Sequence, residues 1–178
     1  MSGESGALGQ RVVSTVGPVL IIGSGLLGAS LGLALRAGGV RVYLADASPT
    51  SLRLACDVGA GEAFGDVLAE AGVRRSGCGS DRLGYEAPRL VIVATPPDVA
   101  DRIIVESLLR FPDAIVTDVA SVKDAVVADV LSGLRSEGCL DAASRYVGSH
   151  PMAGRERSGA GAADADLFYG RPWVIVAH

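Results

Sequence analysis

Histidine is almost missing from this 178-residue chain: there are two, and one of them is the last residue. Aromatic residues make up only 4 % of the chain, which leaves no platform on which the bases of a single-stranded nucleic acid would stack. A basic excess is lacking as well. Sixteen Lys and Arg stand against twenty Asp and Glu, for a formal net charge of −4, whereas neutralising a phosphate backbone needs a basic face. Nucleic acid is therefore not expected as a partner. No apolar run reaches the roughly 18 residues of a membrane span, so no membrane is expected either. Cys56, Cys78 and Cys139 are odd in number, widely spaced and form no CxxC pair. That argues against a disulfide framework and against a zinc or other metal site, and points to a reducing cytoplasm. The opening "MSGESGALGQRVVSTVG" has no basic head followed by an apolar block. It reads as a loose arm over residues 1–17, not a signal peptide.

What is present is a 49 % hydrophobic composition, enough for the core of one ordinary domain. Strand and helix patterns alternate. "PVLIIG" (18–23) is an apolar β run, and "LLGASLGLALRAGG" (26–39) is helical, stopped by paired glycines. "VRVYLAD" (40–46) alternates like a strand, and "SPTSLRLACDVG" (48–59) begins with Ser48 as an N-cap and Pro49 at the first helical position. "RLVIVATPP" (89–97) and "AIVTDVAS" (114–121) are strands, each followed by an amphipathic helix, and "RYVGSHP" and "RPWVIVAH" complete the order. Continuous apolar strands between such helices mean a mostly parallel sheet covered on both faces. The fold class is therefore α/β, a doubly wound Rossmann-type domain over 18–178. One stretch, 72–89, has glycines, charges and no periodicity, and reads as a long surface loop between the third and fourth strands. No internal repeat is visible. A parallel-sheet domain whose sequence stops at a strand end is expected to continue into a second domain.

The first turn, "GSGLLG", spans Gly23, Ser24, Gly25, Leu26, Leu27 and Gly28, directly after a strand and opening a helix. Gly23 permits the tight turn, Gly25 lets the backbone approach a pyrophosphate, and Gly28 allows close helix–strand packing. The helix N-terminus offers free N–H groups and the positive dipole end to the anion. Asp46, at the end of the second strand, stands where a carboxylate would grip ribose hydroxyls; its other reading is a solvated strand terminus. Ala47 and Ser48 beside it bring no basic side chain for a 2′-phosphate, so NAD is favoured over NADP. In "ATPP", Thr95, Pro96 and Pro97 either flank the cofactor or simply start a helix. In "TDVASVK", Ser121 is either a cofactor and substrate contact or an N-cap. His150, between Ser149 and Pro151, cannot lie in a regular helix, because proline pushes its predecessor toward extended backbone. It belongs at a strand end facing the same sheet edge.

Together these residues resemble the nucleotide-binding half of the prephenate/arogenate dehydrogenase family of tyrosine biosynthesis. The resemblance runs through "VLIIGSGLLGASLGLAL" (19–35), "VIVATPP" (91–97) and "TDVASVK" to "GSHPMAGRERSGAGAADADLFYGRPWVI". It covers about residues 18–176 except the 72–89 loop, and the last block is its most specific part. It implies that His150 takes the proton of the substrate's ring hydroxyl and that Ser121 hydrogen-bonds to that hydroxyl. It implies NAD as cofactor, prephenate or arogenate as substrate, and a homodimeric full-length protein. An imidazole ordinarily titrates near ~6.5, which suits a base working near neutrality. The family's helical C-terminal domain, which builds the dimer and supplies an arginine for the substrate carboxylate, has no counterpart in this chain. Arg155, where relatives often have threonine, stands beside Glu156 and Arg157; the arginines are either substrate-carboxylate contacts or solvated loop charges, and Glu156 is a further candidate substrate contact.

Two other readings stand beside this one. Other Rossmann dehydrogenases, such as the β-hydroxyacid and imine-reductase families, place a catalytic lysine in a later helix and leave "SHPMAG" unexplained. A regulatory module that binds NAD without chemistry would not need both His150 and Ser121.

Overall fold

The computed structural model of the chain describes residues 15, 17–64, 86–154, 156 and 158–176. Within these, the strands are β1 (Val19–Ile22), β2 (Val42–Ala45), β3 (Glu62–Ala63), β4 (Leu90–Val93), β5 (Ile115–Asp118), β6 (Tyr146–Pro151) and β7 (Trp173–Val176). The helices are α1 (Leu26–Ala37), α2 (Pro49–Asp57), α3 (Pro97–Arg110) and α4 (Lys123–Ser136). All strands join one sheet in the order β3-β2-β1-β4-β5-β6-β7. Every pairing is parallel except that of β7 with β6. This is the strand order of the doubly wound dinucleotide-binding fold, extended by one antiparallel edge strand.

The apolar runs become strands because both sheet faces are covered. All four residues of β1 and all four of β2 are buried. Successive side chains point to opposite faces. Leu20, Ile22, Val91, Val93 and Val116 pack with Ile104 and Leu108 of α3 and Val130 of α4. Val19, Ile21, Val42 and Leu44 pack with Ala29 and Leu31 of α1 and Ala55 of α2. Local signals set the helix ends: Gly39 adopts φ 80° just past α1, and Ser48 accepts a hydrogen bond from the Ser51 N–H at 3.2 Å, with Pro49 opening α2. No helix among the described residues is long and apolar enough to cross a membrane.

The structure decides two readings that the sequence left open and adds one strand. Ser121 is not an N-cap: α4 begins at Lys123 with Val122 in the cap position and no side-chain cap. The Asp118 carboxylate instead accepts from the Ala120 N–H at 3.0 Å and from the Lys123 ammonium, which holds the turn before Ser121 is reached. Both prolines of "ATPP" start the helix, Pro96 as the N-cap of α3 and Pro97 as its first residue. A two-residue strand, β3, was not assigned to any segment beforehand. Of the irregular 72–89 stretch, residues 72–85 lie outside the described residues, as do Arg155 and Arg157 and nearly all of the 1–17 arm.

Candidate functional site

Register aligns the strand ends. Ile22 pairs with Ala45 on one side and Val93 on the other, Val93 pairs with Asp118, and Asp118 with Gly148. The residues that follow therefore emerge along one edge: Gly23–Gly28 after β1, Asp46 after β2, Thr95 after β4, Ser121 after β5, and His150 two positions beyond Gly148 on β6. The strand order reverses between β1 and β4, with β2 and β3 added on one side of β1 and β4 to β6 on the other, so this edge holds the crevice in which open α/β sheets bind ligands.

The glycine turn is built by steric demand. Gly23 has φ +99°, and a Cβ there would lie 2.5 Å from the Ala94 carbonyl oxygen. A Cβ on Gly28 would lie 1.9 Å from the Gly23 carbonyl oxygen, so α1 sits against the turn as only glycine allows. Gly25, the N-cap of α1, is different: its missing side chain faces open space. The first-turn amides of α1 have no intrahelical acceptor, and no acidic side chain competes for them in that turn.

Gly23, Gly25, Leu26, Leu27, Asp46, Thr95 and Pro96 line one open cleft of about 1180 Å³. Ser24 and Gly28 lie buried beneath it. The Thr95 hydroxyl is buried there without a hydrogen-bond partner among the described residues. The residues present thus fit a dinucleotide: glycine-lined room at a helix N-terminus, with the Asp46 carboxylate beside it at the end of β2 and the unsatisfied Thr95 hydroxyl on its other side, after β4. Asp46 is half-buried at its strand end, and its carboxylate accepts three hydrogen bonds, from Ser24 N and Oγ and from Ser48 N.

On the other side of the crevice a buried polar network supports the second group of residues. Asp118, fully buried, accepts from Lys123, from Ala120 N and from the Tyr146 hydroxyl. Burial, and then the negative charge of Asp118, push the Tyr146 phenol well above its ordinary range, so it serves as a donor. The Thr117 hydroxyl donates to the Val147 carbonyl at 2.7 Å, and Ser149 Oγ donates to the Asp118 carbonyl at 2.7 Å. These contacts lock β5 to β6 and so set the Ser121 loop beside the His150 strand end. Ser121 itself is exposed. His150 is half-buried opposite Val174, and its Nδ1 is buried without a hydrogen-bond partner among the described residues. Glu156 is exposed.

Sequence reasoning did not anticipate that the chain after β6 returns across the sheet. Ser158 and Gly159 line the same cleft as the glycine turn. Ala160 is buried with Ala29 and Ala55, and the Asp164 N–H donates to the buried Ser30 hydroxyl at 3.0 Å. The alternation of small residues in "SGAGAADAD" was the available signal, because small side chains permit such close packing on a helix. Among the described residues, no three His, Cys, Asp or Glu side chains gather to hold a metal ion. Cys56 and Cys139 are free, and burial raises the Cys56 thiol above its ordinary value.

Sheet order, glycine turn and strand-end acid define a Rossmann-type nucleotide-binding domain. Residues 31–177 match the family model of the prephenate dehydrogenase nucleotide-binding domain, and the chain belongs to that family. It is 40 % identical over 157 residues to the Streptomyces niveus protein named probable prephenate dehydrogenase NovF, covering 88 % of this chain and 37 % of that protein. Among solved structures it is similar to the Aquifex aeolicus prephenate dehydrogenase in complex with hydroxyphenyl propionate and NAD+, with a TM-score of 0.70 and 27 % identity over 90 % of this chain and 50 % of that one. It is also similar to the Synechocystis arogenate dehydrogenase, with a TM-score of 0.67 and 26 % identity over 89 % and 49 % of the two chains. The chain thus spans between about a third and a half of the length of these relatives.

Proposed function

We propose that this chain is the NAD-binding part of a dehydrogenase that oxidatively decarboxylates prephenate to 4-hydroxyphenylpyruvate, or arogenate to tyrosine. The observation that carries the reading is the common edge: the glycine turn and Asp46 on one side of the switch point, Ser121 and His150 on the other. NAD, when bound, supplies the hydride acceptor. Gly25 and the first amides of α1 would take its pyrophosphate, and Asp46 the ribose hydroxyls. With no basic side chain at Ala47 or Ser48, a 2′-phosphate would meet only the carboxylate, which favours NAD over NADP.

His150 removes the proton of the substrate's ring hydroxyl, and Ser121 hydrogen-bonds to the same oxygen. As hydride leaves the carbinol carbon, the electrons of the bond to the ring carboxylate pass into the ring and carbon dioxide departs, because the product is aromatic. A second, helical domain would complete the pocket for the substrate carboxylate and form a homodimer, with Arg155 and Glu156 either further substrate contacts or solvated loop charges. A cytoplasmic location accords with a biosynthetic role.

The test is made in the full-length protein. His150→Asn keeps a polar group but cannot take a proton, and the loss of a positioned base costs about 10²–10⁴-fold in rate. Turnover should collapse while NAD affinity stays near wild type, and Ser121→Ala should cost less. Wild-type turnover by His150→Asn would show the ring to be only a strand-end residue.

A further inference from the structure

We propose that Ser24 is a positioning residue that fixes the Asp46 carboxylate and thereby sets the discrimination between NAD and NADP. The proposal rests on the reading of Asp46 as the acid facing the ribose.

Ser24 is the variable residue between the first two glycines of the turn, and it is fully buried. Its hydroxyl does not cap α1, whose N-cap is Gly25 with no side-chain cap bond. Instead both of its donors reach across from the end of β1 to the end of β2. The Ser24 amide donates to Asp46 Oδ2 at 2.6 Å and the Ser24 hydroxyl donates to the same oxygen at 2.7 Å. The Ser48 amide donates to the other oxygen, Oδ1, at 2.7 Å. A carboxylate offers about four lone-pair positions. Three are thus taken by neutral donors, and Oδ2 is full.

Two consequences follow. No cation stands among these three donors, and the carboxylate loses the freedom to rotate that an aspartate at a strand end normally has. The one acceptor position left, on Oδ1, is the one that can meet a ribose hydroxyl. A 2′-phosphate brought there meets a negative charge that cannot swing aside. Ser24 therefore acts against the phosphate through Asp46, without touching it. Without the hydroxyl, each oxygen keeps one backbone amide but Oδ2 loses its second donor, so the carboxylate is held less firmly and rejection of NADP weakens more than binding of NAD.

The experiment is calorimetric titration of NAD+ and of NADP+ into wild type, Ser24→Ala, Asp46→Ala and the double variant, with thermal melting of each as a check on folding. The NADP-to-NAD ratio of dissociation constants should fall about 3- to 10-fold in Ser24→Ala, the scale of freeing one ordered side chain. In the Asp46→Ala background the same serine change should have no further effect, because the two residues act as one unit. Ser24→Cys, which fits the same buried space with a weaker donor, should give an intermediate ratio and carries the test if Ser24→Ala does not fold. Equal effects of Ser24→Ala in both backgrounds would show that Ser24 acts on the cofactor directly and would overturn the proposal. So would an unchanged ratio in Ser24→Ala beside a lowered one in Asp46→Ala. An unchanged ratio in Asp46→Ala itself would instead overturn the reading of Asp46 on which the proposal rests.

Discussion

Tyr146 and Asp118 stand on neighbouring strands, and the phenol hydroxyl donates to Asp118 Oδ1 across 2.9 Å at a buried position. The other carboxylate oxygen takes Lys123 and the Ala120 amide, so one aspartate ties the end of β5, the start of α4 and β6 together. A buried charge is tolerable only when paired and hydrogen-bonded in this way. Tyr146→Phe keeps the ring and removes one donor. It should lower stability by about 1–3 kcal/mol, the usual cost of losing a hydrogen bond to a charged group, as read by urea denaturation.

The same pair makes stability fall on the alkaline side. The folded state raises the Tyr146 phenol above its unfolded value, so between the two the folded chain holds a proton that the unfolded chain has released. Stability from this group is complete below about pH 10, the ordinary tyrosine value, and drains away as pH rises above it. The stability gap between wild type and Tyr146→Phe should therefore narrow as pH rises above about 10 in denaturation series. A constant or widening gap would refute this assignment.

Two glycines of the turn should respond in opposite ways. A Cβ on Gly28 collides with the Gly23 carbonyl, whereas one on Gly25 meets nothing within 4 Å. Gly28→Ala should cost about 1–3 kcal/mol or more as overpacking, with a clear fall in melting temperature. Gly25→Ala should melt like wild type yet bind NAD+ at least tenfold more weakly, because the methyl occupies the room left for a pyrophosphate. Melting curves and titration of both variants separate the two roles.

Arg145 closes the C-terminal end of α3. Its guanidinium donates to the carbonyls of Leu108 at 2.7 Å, Phe111 at 2.9 Å and Ala114 at 3.0 Å, two of them at or just before the helix end. Arg145→Met keeps much of the stem but leaves these carbonyls without their donor, and should destabilise by about 1–3 kcal/mol. Arg145→Lys should recover only part of that, since one ammonium cannot reproduce the planar fork. Thermal denaturation of the two variants checks both statements.

Legibility in the sequence followed distance along the chain. The Ser48–Pro49 start of α2, the glycine stop of α1 and the extended backbone at His150 each depend on neighbours within a few residues, and all were readable. So was the "GSGLLG" turn, because its glycines answer a steric need within one strand–turn–helix unit. Whether Ser121 caps α4 was not legible, because the competitor is a side chain: the Asp118 carboxylate holds the turn through Ala120 and Lys123. Ser24 was readable as a turn residue but not as the partner of Asp46, 22 positions away.

By itself, then, the sequence determined the alternation of buried strands and amphipathic helices, the glycine turn and the acid at the end of β2, since period, chirality and proline or glycine geometry act locally. Which side chains meet was decided only by the tertiary structure. Strand order brings Tyr146 to Asp118 across 28 positions, Arg145 to Leu108 across 37 and Asp164 to Ser30 across 134. None of these pairs leaves a periodic trace, because a hydrogen bond between distant residues depends on how the sheet is wound and on the low-dielectric interior that makes an unpaired partner costly.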